Sequence, residues 1–326
     1  MTGVKEACMK HVSRYAHAEW FLAFKELGIT VFLFFGTLAS YDWFVQFGWY
    51  GSLQWLMLRA LVFVRMFIIT HDCMHNSFFP KTKWNTWVGR VVGAYVLTPF
   101  EKWRRGHLFH HNTSGNLEVV NIEKAIYSGD TIFITKKDWD AMTPKQRVLF
   151  KAIRHPLVFF TIMPFLVFGV LYRIGSPKRR SGVMFVNVYR VCDLIFWNCL
   201  IGNGYWYIEV LAMWIGASIG FMLFHLQHGV NDGYRVSSEE FDRIDASLKG
   251  STYLQVPGWL RWVTLNIEYH HIHHIDPRVP CYKLALCHDE APIGMWGYVN
   301  HVDLQTAWES LGNVMWDEAT QKYTSF

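Results

Sequence analysis

The stretch Asn266–Arg278 reads NIEYHHIHHIDPR and contains four histidines. Three of them, His270, His273 and His274, have the spacing HxxHH. On a helix, residues at positions i, i+3 and i+4 share one face, so these three imidazoles can converge on a common point. The stretch therefore predicts a helix that presents several metal-binding nitrogens at once.

Two further clusters repeat this pattern earlier in the chain. HDCMH places His71 and His75 four residues apart, and HLFHH is a second HxxHH unit formed by His107, His110 and His111. The three boxes hold eight of the sixteen histidines. A single zinc ion takes four ligands, so eight imidazoles predict two metal ions with several histidines each. Surface histidines that happen to cluster are the alternative interpretation.

The composition is that of a membrane protein. Of 326 residues, 52% are hydrophobic and only 17% are charged, against about 25% charged in soluble domains. Long uncharged runs predict membrane spans. The net charge of +5 gives no reason to expect nucleic acid binding. The six cysteines lack CxxC spacing, which favours free thiols in a reducing compartment.

We predict an all-α membrane protein with a single domain over residues 1–326. Its four transmembrane helices are expected at about 24–45, 49–70, 182–202 and 205–226. A cytoplasmic helical cap, made of residues 71–155 and 227–326, is expected to hold a histidine-rich diiron site. Residues 1–19 lack the apolar core of a cleavable signal peptide, so the first span is predicted to be an uncleaved anchor.

Two other apolar stretches are predicted to be re-entrant or interfacial. Thr86–Phe100 is shorter than the roughly 20 residues that a span requires. His155–Tyr172 is interrupted by Pro164, and a crossing there would place Lys178–Arg180 outside, against the positive-inside tendency. A crossing would also separate the third box from the first two. We therefore expect all three boxes and both termini on the cytoplasmic side.

Two arginines, Arg59 and Arg65, lie within or near the second predicted span. A charged side chain in a membrane is expensive, so each is a candidate functional residue. Pairing inside the helix bundle, or snorkelling to the membrane surface, explains them equally well.

Clustered neutral histidines at a membrane face suit iron. A diiron site can reduce dioxygen to an oxidant strong enough to take hydrogen from an unactivated C–H bond, while the protein excludes water and positions the substrate. A metal site just outside the bilayer indicates a lipid substrate, because an acyl chain can then enter between the helices and reach the metals.

The boxes HDCMH, HLFHH and HHIHH, in this order and relative to these apolar spans, resemble those of the membrane fatty-acid desaturases. Four segments, Phe67–Phe79, Thr98–Leu117, Asn266–Tyr282 and Cys287–Glu290, are similar to the bacterial and algal acyl-lipid desaturases of the Δ12 or omega-6 type. The resemblance covers most of the chain from about Trp20 onward.

The resemblance implies an O2-dependent enzyme with two non-haem irons that introduces a cis double bond, converting oleoyl to linoleoyl chains. It implies a multi-pass protein of the endoplasmic reticulum membrane in a eukaryote, or of the cytoplasmic or thylakoid membrane in a bacterium. Because we recognise no electron-transfer domain in the chain, its electrons are expected from a separate ferredoxin, or from a b-type cytochrome with its reductase.

The resemblance also bears on the end of the last span. Relatives often read HxQHxFE there, whereas Phe224–Asp232 reads FHLQHGVND. Val230–Asn231 replaces the Phe-Glu pair, so any support that the glutamate gives the metal site is missing or comes from Asp232.

A pair of irons with four or five protein ligands each needs about one histidine more than the eight in the boxes. We predict His228 as the ninth ligand. His225 lies one turn deeper and is expected to hydrogen-bond to a ligand or to line the acyl tunnel. Asp72 either orients a neighbouring imidazole or is a helix-surface carboxylate.

Two alternatives have different chemistry. A fatty-acyl hydroxylase or related monooxygenase on the same diiron scaffold shares the first hydrogen abstraction, and histidine spacing does not separate it from a desaturase. A metal transporter or sensor should carry its ligands at mid-bilayer depth, whereas the boxes flank the spans.

Overall fold

The computed structural model describes residues 2–119, 133–173 and 206–326, which are mostly helical. The helices before the first gap are α1 (Thr2–Ser13), α2 (Trp20–Ala39), α3 (Tyr41–Val45), α4 (Gly48–His75), α5 (Thr82–Tyr95) and α6 (Phe100–Thr113). Between the gaps lie α7 (Lys136–Ala141), α8 (Pro144–Arg154) and a helical segment at 158–173. The last part contains α9 (Trp206–His228), α10 (Arg243–Lys249), α11 (Arg261–Thr264), α12 (His270–Ile275), α13 (Cys281–Asp289) and α14 (Leu304–Ser310).

Three helices of the described residues, α2, α4 and α9, are long and apolar enough to cross a membrane. They correspond to three of the four predicted spans, with shifted boundaries. The first span was predicted at 24–45, but α2 begins at Trp20 and ends at Ala39, before a bend at Ser40. The predicted span at 182–202 and the basic cluster Lys178–Arg180 lie outside the described residues.

Helix α4 continues through the first histidine box instead of ending before it. Its 28 residues run without a break to His75, where Asn76 adopts a left-handed conformation with φ 59° and terminates the helix. The membrane boundary predicted at residue 70 stays a prediction, because a helix can extend beyond the membrane. One rigid element carries the chain out of the membrane and delivers the imidazoles of His71 and His75.

The 158–173 segment stays helical despite its proline. A short α-helical turn, Met163–Phe165, lies between the π-helical turns Val158–Ile162 and Leu166–Val170. Such turns accommodate a proline, which cannot donate the regular helix hydrogen bond. The segment meets α8 at a bend of 66° and forms a fourth span only if the bent pair counts as one. That the 158–173 segment does not cross the membrane remains a prediction.

Both intramembrane arginines are buried in ion pairs. Arg59 of α4 donates from Nε to both carboxylate oxygens of Glu209 in α9, at 2.9 Å each. Arg65 pairs with Glu26 of α2 and donates to the hydroxyl of Thr30 at 2.8 Å. These contacts select pairing inside the bundle over snorkelling, since both arginines are at most 1% exposed.

In the described part of the chain, five short strands form two small sheets that were not predicted from the sequence. The strands are β1 (Ile134–Thr135), β2 (Thr252–Leu254), β3 (Asn300–Val302), β4 (Met315–Asp317) and β5 (Lys322–Thr324). β4 lies between a parallel β1 and an antiparallel β5, and β2 pairs in parallel with β3. The sheets tie the C-terminal strands β3 and β4 to β2 and β1.

The largest apolar core packs directly behind the histidine boxes. Ile69 and Cys73 of α4, Ile272 of α12 and Leu284 of α13 are all fully buried in it. Because Ile69, Cys73 and Ile272 share helices with the histidines, packing of the core fixes where the imidazoles point.

Candidate metal centre

All nine histidines predicted as ligands lie together in two buried groups. The first group has its ligand atoms within 4.8 Å of one another and consists of His71, His75, His107, His111 and His273. The second group meets the same distance limit and consists of His110, His228, His270 and His274. The structure therefore brings the predicted residues together, while their role as ligands remains a proposal.

Two of the helices contribute to both groups. In α6, His107 and His111 are one turn apart and point into the first group, whereas His110 points into the second. In α12, His270 and His274 belong to the second group and His273 to the first. Since one residue turns a helix by about 100°, neighbouring histidines diverge while residues four apart share a face.

The ring nitrogens face one another at hydrogen-bond distances. In the first group, the Nε2 atom of His107 lies 2.8 Å from that of His71 and 3.1 Å from that of His111. In the second, the Nε2 atom of His228 lies 2.9 Å from that of His270 and 3.1 Å from that of His110. Such convergence of lone-pair-bearing nitrogens is the arrangement that a metal ion requires.

Burial keeps five of these imidazoles in the form that binds metal. The pKa values of five histidines outside the membrane spans are well below the ordinary 6.5, first because burial penalises the charged form and then because neighbouring imidazoles repel it. The five are His107, His111, His270, His273 and His274. Neutral imidazole has the free lone pair that a metal ligand needs.

Several buried ring nitrogens are unsatisfied within the described residues. Both nitrogens of His75 and the Nε2 atom of His274 have no hydrogen-bond partner there. A buried polar atom without a partner costs about 1–3 kcal/mol. A metal ion at each group would satisfy one nitrogen of His75 and the Nε2 atom of His274, so the donor set fits a metal that prefers nitrogen ligands.

Two contacts orient individual imidazoles from behind. Asp72 accepts from Nδ1 of His71 at 3.2 Å, and its other oxygen accepts the backbone N–H of Cys281 at 2.6 Å. Of the two interpretations of Asp72, these contacts favour the orienting one over a helix-surface carboxylate, since Asp72 is fully buried. The carbonyl of Gly250 accepts from Nδ1 of His228 at 3.2 Å. Sequence reasoning missed that contact because a backbone carbonyl leaves no signature in the side-chain pattern.

His225 contacts neither a proposed ligand nor the cavity described below. It is fully buried, and its Nε2 donates to the carbonyl of Ser310 at 2.8 Å. Its ring packs near Phe133 and Phe160. The expectation that it would bind a ligand or line the tunnel was wrong, because the C-terminal residues cover this side of α9.

Asp232 does not replace the missing glutamate. It is exposed, with φ 63°, and its backbone carbonyl accepts from the side chain of Asn300 at 3.2 Å. No contact joins its carboxylate to a histidine among the described residues. The chain turns away from the metal centre immediately after α9, which corrects the suggestion that Asp232 supports it.

An apolar cavity of about 400 Å³ adjoins both histidine groups. Its walls come from α4, the 158–173 segment and α9, with aromatic rings such as Phe67, Phe168 and Phe221. His71 and His107 of the first group and His270 of the second reach its surface. The volume is typical of a small-molecule site, and the lining suits a hydrocarbon.

Two residues at the histidine end of this cavity were not singled out from the sequence. The Trp103 ring stacks on His107, with centroids 4.2 Å apart and planes at 22°. Gln227 lines the wall and donates from Nε2 to the carbonyl of Ile267 at 3.1 Å. Trp103 had a detectable signal, since it precedes His107 by four residues on α6 and therefore shares its face.

Comparison with known proteins agrees with this geometry. Residues 47–295 match the model of the family described as fatty acid desaturase. A fatty acid desaturase of Bacillus subtilis is 30% identical over 318 residues, which cover 94% of this chain and 81% of the relative. The chloroplastic omega-6 fatty acid desaturase of Glycine max is 26% identical, over 82% of this chain and 62% of the relative. The sn-1 oleoyl-lipid 12-desaturase of Synechocystis is 24% identical, over 79% and 74%.

The family match, the apolar helices and the buried histidine groups all indicate a fatty acid desaturase of the membrane type. A metal site built from histidines is typical of this family, and the family implies a lipid substrate. The chain is a multi-pass membrane protein and an oxidoreductase, and it belongs to the fatty acid desaturase family.

Proposed function

We propose that the chain introduces a cis double bond at the Δ12 (omega-6) position of a membrane-lipid acyl chain, converting oleoyl to linoleoyl. The observation that carries the proposal is the apolar cavity that reaches His71, His107 and His270, and so adjoins both histidine groups. A chain in it has its methylene groups beside both candidate metal positions and away from water. The bond position is supported by the names of the Glycine max and Synechocystis relatives.

We also propose that each histidine group holds one iron, five imidazoles for the first and four for the second. Bound iron would supply the reduction of the co-substrate O2 and the removal of hydrogen from an unactivated C–H bond. Nine imidazole ligands without a carboxylate fit the donor chemistry of iron, and their number exceeds what one ion takes.

The chain's own residues hold the nitrogens and position the substrate. Asp72 and the carbonyl of Gly250 fix the ring orientations of His71 and His228. Trp103, stacked on His107, forms part of the wall where the acyl chain meets the metal centre. Water exclusion follows from the apolar lining and strengthens every electrostatic interaction inside the site.

The topology belongs to the same proposal. One domain of residues 1–326 crosses the membrane four times, with 182–202 as the remaining span. The cytoplasmic cap is made of residues 71–155 and 227–326 and contains the three boxes. Support comes from helices α4 and α9, which both deliver their histidines at the C-terminal end. Two helices that bring their C-terminal histidines to the same centre run parallel to each other. Parallel helices have their C-terminal ends on the same side of the membrane, as the proposed topology requires.

Electrons are proposed to come from a separate protein, either a ferredoxin or a b-type cytochrome with its reductase. Reduction of O2 to water needs more electrons than the two broken C–H bonds release, so an external donor completes the balance.

Expression in a host that lacks dienoic acids, supplied with oleate, tests the reaction. The chain should produce linoleate, and the His270→Ala variant, expressed to the same level, should not. A hydroxy acid as the sole product would instead support the hydroxylase alternative. A new double bond only in saturated chains would overturn the proposed substrate while leaving desaturation intact.

A further inference from the structure

The wall that α9 contributes to the cavity has three small residues near its middle. Cavity-lining positions on this helix run from Val210 to Gln227, which corresponds to about 25 Å of helix rise. Gly216, Ala217 and Gly220 lie in the middle of this run and line the cavity. Glycine destabilises a helix interior relative to alanine, so each glycine here calls for a physical reason.

Gly216 has a packing reason. A Cβ atom added there would lie 2.9 Å from the backbone carbonyl oxygen of Ala60 and 3.2 Å from the Cβ of Phe63, both in α4. The two helices approach each other so closely at this point that only glycine fits, as small residues do where membrane helices cross.

Gly220 has no such reason among the described residues. A Cβ atom added there would meet no described atom within 4 Å. Gly28 of α2 is equally open, but it does not line the cavity. Among the described residues, what distinguishes Gly220 is therefore the cavity in front of it: the missing side chain leaves that part of the cavity free for a ligand.

We propose that Gly220 determines how long an acyl chain the cavity accepts beyond the metal centre. Gly220 precedes His228 by eight residues, which places it about 12 Å along the helix toward the middle of the membrane. Because a polar head group stays at the membrane surface, the part of the substrate that passes Gly220 is the methyl-terminal part. This inference rests on the proposed function, since it takes the cavity as the acyl site.

Binding to the purified protein in detergent, without an electron donor, tests the proposal without depending on catalysis. Oleic acid and the shorter myristoleic acid each displace a bound fluorescent fatty acid, and the ratio of their dissociation constants is recorded. In Gly220→Leu the side chain narrows the cavity at this depth, so the ratio of oleic to myristoleic constants should rise about tenfold. Gly220→Ala should raise it less and should keep or increase the melting temperature, because its Cβ enters open space.

Gly28→Leu is the matched control, since it adds the same side chain to an open glycine of a membrane helix away from the cavity. Its ratio should equal that of the unchanged protein. An unchanged ratio in Gly220→Leu, an equal loss of both acids, or the same shift in Gly28→Leu would each overturn the proposal. Absence of linoleate in the expression experiment, with the binding ratio still shifted, would refute the proposed reaction and leave the role of Gly220 standing.

Discussion

At the scale of single residues, His110 and His111 are adjacent in the chain but belong to different histidine groups. The sequence shows which histidines have helical spacing, and all eight box residues lie in the centre, together with His228. It does not show how they divide into five and four, because that depends on how α4, α6, α9 and α12 are rotated against one another.

Alanine substitution at the end of α9 separates a proposed ligand from its neighbour. His228→Ala removes a nitrogen from the second group, so bound iron should fall and activity should be abolished. His225→Ala should retain its iron, since His225 pairs with the carbonyl of Ser310 and belongs to neither group. Iron analysis of both purified variants measures this. Full iron occupancy and activity in His228→Ala would exclude the ligand role.

The lowered histidine pKa values predict an acid-sensitive fold. In the unfolded chain these side chains take up protons near pH 6.5, whereas in the folded metal-free protein burial keeps them neutral to well below that pH. The unfolded state then binds more protons, so their contribution to stability is present above about pH 6.5 and is lost as the pH falls. The melting temperature of metal-free protein should drop from about pH 7.5 to about pH 5.5; a rise on acidification would contradict the assignment.

At the scale of elements, the ion pair of Arg59 and Glu209 joins α4 to α9, the helices that carry His71, His75 and His228. A charged residue within an apolar run marks Arg59 as unusual in the sequence, but its partner is 150 residues away and could not be named from the sequence. The pair also uses the carbonyl of Phe34 and the hydroxyl of Thr37 as acceptors, at 2.6 and 2.8 Å. Such a network fixes the register of three helices.

Glu209→Gln should therefore destabilise the protein by about 3–5 kcal/mol, because it leaves a buried guanidinium without its counter-charge. Asp140→Asn is the control, since Asp140 is 65% exposed and lies 4.0 Å from Arg147; its effect should stay within about 1 kcal/mol. Unfolding curves in detergent provide the comparison. Equal stability of the two variants would show that the buried pair does not hold the helices together.

The helices that span the membrane could be predicted from the sequence, but the end of α4 and the short strands could not. Apolar runs predicted α2, α4 and α9 as spans, but hydropathy could not show that α4 continues through His75, since box residues are polar. The short strands β1 to β5 were missed because each has two or three residues, too few for an alternating pattern to be visible. The C-terminal residues that pack against α9 could not be predicted either, so the contact of His225 with Ser310 was missed as well.

At the scale of the whole molecule, the proposed topology places residue 179 on the cytoplasmic side. This follows from a 158–173 segment that enters the membrane and returns, and from the basic cluster around residue 179. A cysteine introduced at Arg179, in a chain whose natural cysteines are replaced, should react with an impermeant reagent in inside-out vesicles only. Reaction in right-side-out vesicles alone would show that the 158–173 segment crosses.

The central claim is that two buried histidine groups hold two irons beside an acyl-chain cavity. The most direct measurement is the metal content of purified, active enzyme, determined by elemental analysis against protein concentration. We predict two irons per chain. Active enzyme with stoichiometric zinc and no iron would contradict the account.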